Sequence, residues 1–201
     1  MSTLQNELDY LKGLAESGAR GPLRNGSTLF WAGLLYGLAS IGQYAMMRGW
    51  LPASGMMSLF IWFGASLLFG VIAMIMRINC PPSTGGKTNR YAYSAWAAIG
   101  IAIVVFIAAV AIIAYRMHDF EPMSYLLAPA ILILYGIGWA VSALVSGKGW
   151  LRLVSFGSFL GALGLAVLAG APEQLLAYAA ALFVLAMLPG LALMREARQH
   201  G

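Results

Sequence analysis

YLLAPAILILYGIGWAVSALV, residues 125–145, runs its full length without an Asp, Glu, Lys, Arg or His. A helix rises about 1.5 Å per residue, so a run of this length reaches across the roughly 30 Å hydrocarbon layer of a bilayer. Five more such windows lie outward from it, at residues 28–47, 55–76, 94–114, 153–171 and 174–194. Each is about twice the length of a barrel strand and lacks strict alternation, while backbone groups in lipid must be satisfied internally. The sequence therefore predicts an all-α integral membrane protein with six transmembrane helices.

Composition points the same way. Of 201 residues, 61% are hydrophobic and 9% charged, whereas roughly a quarter of the residues of a soluble domain are charged. The 24 glycines follow no triplet period, which excludes a collagen-like chain. Cys80 is the single cysteine, so neither a disulfide framework nor a common zinc-ligand spacing is available.

Ahead of the first window, Leu4, Leu8, Leu11 and Ala15 recur at helical spacing, with Ser2 and Gln5 as a capping box and Gly18 as a stop. Residues 1–27 thus read as a short amphipathic arm, followed by a membrane domain at 28–194 and a tail at 195–201. The arm's polar face, Glu7, Asp9, Lys12 and Glu16, is net acidic, which suits a helix resting on the membrane surface or docking a partner protein. The arm lacks an apolar core of signal-peptide length, so no cleaved leader is expected and the first span directs its own insertion.

Orientation follows from the basic residues. Lys12, Arg20, Arg24, Arg77, Lys87, Arg90, Lys148, Arg152, Arg195 and Arg198 fall on one side of the predicted layout, against Arg48 and Arg116 on the other. By the positive-inside rule both termini are cytoplasmic, and a compact chain with short loops suits a bacterial inner membrane. The same bias accounts for the net charge of +5 and leaves no case for a nucleic-acid partner.

The two halves echo each other. Arg48-Gly49-Trp50-Leu51 returns as Lys148-Gly149-Trp150-Leu151, and at the same offset Ser58, Gly64, Leu68 and Gly70 match Ser158, Gly164, Leu168 and Gly170. Tyr36-Gly37 matches Tyr135-Gly136 one residue earlier in register. Three helices per unit force the second copy in upside down, so the expected organisation is a 3+3 inverted-topology repeat with halves 28–114 and 125–194. Trp50 and Trp150 then face opposite sides.

The repeat aligns two kinds of helix face. Residues at four-residue steps, Ser58, Trp62, Ser66 and Gly70 on the second helix and Ser158, Ala162, Ala166 and Gly170 on the fifth, read as packing faces, where the small ones let backbones approach closely. Gly33 with Gly37, Gly157 with Gly161, and Gly136 with Ala140 extend the pattern, and such stripes also permit a homo-oligomer. The first and fourth helices carry a more polar stripe: Tyr36, Ser40, Gln43 and Met47 on one, Tyr135, Trp139, Ser142 and Ser146 on the other. Tyr36, Ser40, Gln43, Tyr135, Trp139 and Ser142 form the candidate ligand site, where phenol, hydroxyl and amide groups would line a cavity for a neutral ligand. Interhelical hydrogen bonding is the simpler reading of the same residues.

Proton coupling usually uses Asp, Glu or His within the membrane, and a Schiff-base pigment needs an intramembrane lysine. The windows contain neither, so no catalytic residue, cofactor or metal is expected and the chain does not read as an enzyme. Ser83-Thr84-Gly85-Gly86-Lys87-Thr88 imitates the end of a phosphate-binding loop, but Pro81 stands where its first glycine belongs. His118, Asp119 and Glu121 read as a solvated turn, Cys80 as a spectator, and Pro189-Gly190 as a bend or stop near the end of the last helix. Two functions remain: a non-enzymatic membrane subunit that binds a partner protein or an apolar, lipid-like ligand, and a small uncoupled transporter or channel for a neutral solute.

Overall fold

The structure, a computed structural model, describes residues 26–52, 54–79, 86–119 and 121–199 together with Glu7 and Leu23. The expected amphipathic arm, Cys80 and residues 83–85 of the loop lie outside the described residues. Among those described, every element is helical. Helix α1 is Gly26–Met47, α2 Gly55–Asn79, α3 Gly86–Met117, α4 Leu127–Ser146, α5 Gly149–Val167 and α6 Glu173–Gln199. A single turn, Glu121–Ser124, precedes α4.

Five of these, α2 to α6, are long and apolar enough to cross a membrane. Helix α1 is not among the five, although its 22 residues carry no charge. Thr28, Tyr36, Ser40, Gln43, Tyr44 and several glycines dilute its apolar content, and packing explains why they are tolerated. It lies between α2 and α6 and buries residues along its whole length, whereas α2 buries none. A helix flanked by protein need not be as apolar as one that meets lipid, because its polar groups find partners on neighbours.

Two helix starts differ from the expected windows. Helix α3 begins at Gly86 rather than Ser94, and α5 at Gly149 rather than Leu153, so each includes an arginine, Arg90 or Arg152, near its start. Charge ends a hydrophobic window but not a helix, since a long basic side chain can lie along its helix and reach the headgroup layer. Helix α5 also ends earlier than expected, at Val167, because Gly170 takes a left-handed backbone, φ 86°, just before Pro172. Gly170 is therefore not on a helical packing face.

Gln174 fixes the relative direction of three helices. Its amide nitrogen donates to the carbonyls of Tyr125, 3.1 Å, and Leu165, 3.0 Å, so the approach to α4, the end of α5 and the start of α6 share one end of the bundle. Arg48, just past α1, pairs with Glu173 at that same end, 2.7 Å. Lys148, between α4 and α5, pairs with Glu196 at the opposite end. Helix α6 is thus tied at both extremities, antiparallel to α1 and parallel to α4.

The closest helix contact is between α1 and α6. A methyl group on Gly33 would lie 2.6 Å from the Met187 backbone nitrogen and 2.9 Å from the Leu182 carbonyl oxygen. One on Gly190 would lie 2.6 Å from both the Gly26 oxygen and the Phe30 nitrogen. Only hydrogen fits where two backbones meet in this way. The Gly136 and Gly157/Gly161 positions also face neighbours, Phe159, Leu185 and Leu132. The expected packing face on α2 is only half used: Ser58 and Trp62 are half-buried, Ser66 and Gly70 exposed, and a methyl on Gly64 or Gly70 would meet nothing within 4 Å. The reason is that α2 has a single substantial neighbour, α1.

At the end marked by Glu173, the Tyr125 phenol donates to the Glu121 carboxylate, 2.7 Å. That bond, to a group carrying negative charge, raises the Tyr125 pKa above the ordinary tyrosine value, with smaller contributions from desolvation and from Asp119. A raised tyrosine pKa means that the folded state holds the proton more tightly. The stabilisation is complete below the ordinary tyrosine range and is lost as pH rises through the folded value. In ultraviolet titration Glu121→Gln should move one tyrosine toward the ordinary range relative to the wild type; no difference between the two curves would refute the assignment.

Candidate functional site

The six expected site residues are all on α1 and α4, but the two stripes face different helices. On α1, Ser58 of α2 donates to the Gln43 amide oxygen, 2.7 Å, and the Tyr36 phenol donates to Ser66 of α2, 3.3 Å. Ser40, fully buried, returns its hydroxyl to the Tyr36 carbonyl on its own helix, 2.8 Å. On α4, the Trp96 indole of α3 donates to the Ser142 hydroxyl, 2.9 Å, and Ser146 donates to the Ser142 carbonyl, 2.6 Å. Since α1 and α4 are antiparallel, Gln43 and Ser142 lie toward opposite ends.

Trp139 is the best-defined member of the set. Its ring is fully buried, 5.1 Å from that of Trp96 at a steep angle, and its Nε1 donates to the Leu185 carbonyl, 2.8 Å. In a regular helix that carbonyl would accept the amide of residue 189, but residue 189 is Pro189, which has none. Residues Phe183–Met187 form a π turn there, and the Leu188 amide bonds to Phe183, five residues back. An indole from α4 thus supplies a bond that proline removes from α6. The bend or stop expected at Pro189-Gly190 is replaced by a local widening, after which the helix continues to Gln199.

The tyrosines of the two stripes influence each other. Tyr135 lies within electrostatic range of Tyr36, and Tyr178 of α6 is within range of both. Trp96 stands edge-on to Tyr135, 5.5 Å between centroids. Tyr178 and Trp96 were not among the expected site residues. For Tyr178 the signal was available: Gln174, Tyr178, Leu182 and Ala186 are buried at four-residue steps, a periodicity that three alanines in a row obscure. Trp96 stands only two residues into the window expected from Ser94, whereas its helix begins at Gly86, ten residues before it.

Two grooves stand out among the described residues, and neither separates the two stripes. One, about 320 Å³, is lined by Gln43, Met46, Met47, Ser54, Gly55 and Ser58 between α1 and α2. A larger one, about 520 Å³, lies between α4 and α5 and includes Arg152 and Phe156. Among the described residues no buried side-chain nitrogen or oxygen lacks a hydrogen-bond partner. Tyr36, Gln43, Trp139 and Ser142 each bond a neighbouring helix, while Ser40 and Ser146 bond their own. Among the described residues no three of His, Cys, Asp and Glu gather closely enough to hold a metal ion. Comparison with family models, curated proteins and solved structures gives no match, so what the chain does has to be argued from this geometry.

Proposed function

We propose that the chain is a non-enzymatic, six-span membrane subunit of 3+3 inverted-repeat design, which binds a lipid-like ligand or a partner protein on its outer surface. The observation that carries this reading is that Tyr36, Gln43, Trp139 and Ser142 are each hydrogen-bonded to a neighbouring helix, and no buried side-chain nitrogen or oxygen among the described residues is left free to line a path. The sixth span is α1. It runs beside α6 from Gly26 at Gly190 to Arg48 at Glu173, and so matches the reach of a helix apolar enough to cross alone.

Packing also supports the repeat. Helix α1 contacts α2 and α6, and α4 contacts α5 and α3: each half's first helix packs on its own second helix and on the other half's third. The exchange is imperfect, since α5 touches α6 while α2 and α3 make no comparable contact. The motif that first suggested duplication also sits differently in the two halves. Gly49 is in a turn with φ 75°, whereas Gly149 opens α5. In this reading both termini are cytoplasmic in an inner membrane, because Arg77, Lys148, Arg152, Arg195 and Arg198 gather at one end of the bundle. An amphipathic arm, as the sequence of residues 1–27 suggests, would offer a protein contact.

The same exchange of third helices, with the π turn beside Pro189, favours a second reading as an uncoupled transporter whose α6 flexes. Cysteines replacing Trp50 and Trp150, in a Cys80→Ser background, should react with impermeant thiol reagents from opposite sides of sealed vesicles. Labelling from one side would end both the topology and the repeat. Gln43→Leu with Tyr135→Phe would abolish flux of a transported solute, and leaves a non-transporting subunit inserted and folded.

A further inference from the structure

The groove between α4 and α5 has the chemistry of a binding site for one lipid. Its floor is made of small residues, Ala140, Ala143 and Gly147, where α4 ends in a left-handed glycine, φ 70°. Leu144, Phe156 and Phe159 wall it, and all three are exposed or nearly so, which leaves the groove open to the surrounding hydrocarbon. Its volume of about 520 Å³ falls within the range of small-ligand sites, about 300–1,000 Å³. Ser155, at the back, already donates to the Gly136 carbonyl, 2.7 Å, so the groove offers an acyl chain little competition from polar groups.

Arg152 is the one charged residue of the lining. It lies four residues before Phe156 on α5, at the end of the bundle where Lys148 and Glu196 meet and where Arg195 and Arg198 are exposed. Lys148 is neutralised by its pair, and the groove itself carries no carboxylate. A planar guanidinium above an apolar slot matches a phosphate at headgroup depth with an acyl chain below it. Basic pockets between spans on the cytoplasmic side hold anionic lipid headgroups by this geometry.

We infer that the α4–α5 groove binds an anionic phospholipid from the adjacent leaflet, with Arg152 holding the phosphate and Ala140, Ala143, Phe156 and Phe159 seating an acyl chain. This deepens the proposed function by naming a lipid and its site, and it rests on α4 and α5 being membrane spans. The full chain, purified in detergent and exchanged into phosphatidylglycerol or phosphatidylcholine, tests it by native mass spectrometry. One phosphatidylglycerol should stay bound to the wild type at activation energies that strip phosphatidylcholine.

Arg152→Gln should lower phosphatidylglycerol retention about fivefold, the scale of one basic residue near an anionic surface. Ala140→Leu, an exposed position, should fill the slot and lower retention of the lipid with Arg152 intact. Arg195→Gln, at the same end but outside the groove, should change nothing. Equal loss with Arg195→Gln would overturn the site in favour of diffuse charge, and competition by soluble glycerol phosphate would overturn it in favour of a bare phosphate site. Equal retention of both lipids overturns it as well. Opposite-side labelling of cysteines at positions 50 and 150 in sealed vesicles separates a failure of this site from a failure of the topology.

Discussion

Gly33→Leu should drive α1 and α6 apart and lower the stability of the bundle by ~3 kcal/mol or more, the upper part of the range for overpacked sites. The atoms in the way, the Met187 nitrogen at 2.6 Å and the Leu182 oxygen at 2.9 Å, belong to backbone and cannot rotate aside. Even Gly33→Ala places its methyl at those distances. A shift of the whole helix would strain the Gly26–Gly190 contact along the same line. Thermal unfolding in detergent measures the effect against Gly64→Leu and Gly164→Leu, two helical glycines with nothing within 4 Å. Those controls should stay within about 0.5 kcal/mol of the wild type. If all three variants melt together, the α1–α6 contact is not what holds the two halves.

Trp139→Phe should be the next most damaging change, at about 2 kcal/mol or more, because it leaves the Leu185 carbonyl without its donor in a buried setting. The diagnostic comparison is a double-mutant cycle with Pro189→Ala. Alanine restores an amide at position 189, four residues beyond Leu185, and lets α6 close its own hydrogen bond. The cost of Trp139→Phe should then fall by about 1 kcal/mol, within the coupling expected of contacting groups. An identical cost in both backgrounds would mean that the indole matters only for its volume. Ser142→Ala, which removes the acceptor of Trp96, serves as a further comparison: polar pairs of this kind in membranes average about 0.6 kcal/mol.

The helical fold was readable because charge is expelled from segments that meet lipid, and the windows free of charge fall within or close to the helices found. Their ends were less readable at Arg90 and Arg152, where side chains long enough to reach the headgroup layer let a helix start before its hydrophobic window does. Hydropathy sets α1 apart from the five, and its neighbours account for that: Tyr36 and Gln43 bond α2, and Gly26, Gly33 and Gly37 meet α6. The polar stripes on α1 and α4 were visible as residues at helical spacing. Their partners, Ser58, Ser66, Trp96 and the Leu185 carbonyl, depend on which helices are adjacent, and periodicity within one helix carries no information about that. The role of Trp139 needed one further step, the recognition that a proline on another helix leaves a carbonyl unserved.

The embrace of α1 by α6 also sets an order of assembly. Ribosomes deliver α1 first and α6 last, with well over a hundred residues between Gly26 and Gly190. During that interval Gln43 and Tyr36 find Ser58 and Ser66 on α2 as soon as it emerges, but the glycine groove of α1 has nothing to receive. Helix α1 therefore stays half-partnered until the end of the chain arrives. A chain broken off before Glu173 leaves that seam uncovered, because the backbone that fills it belongs to α6.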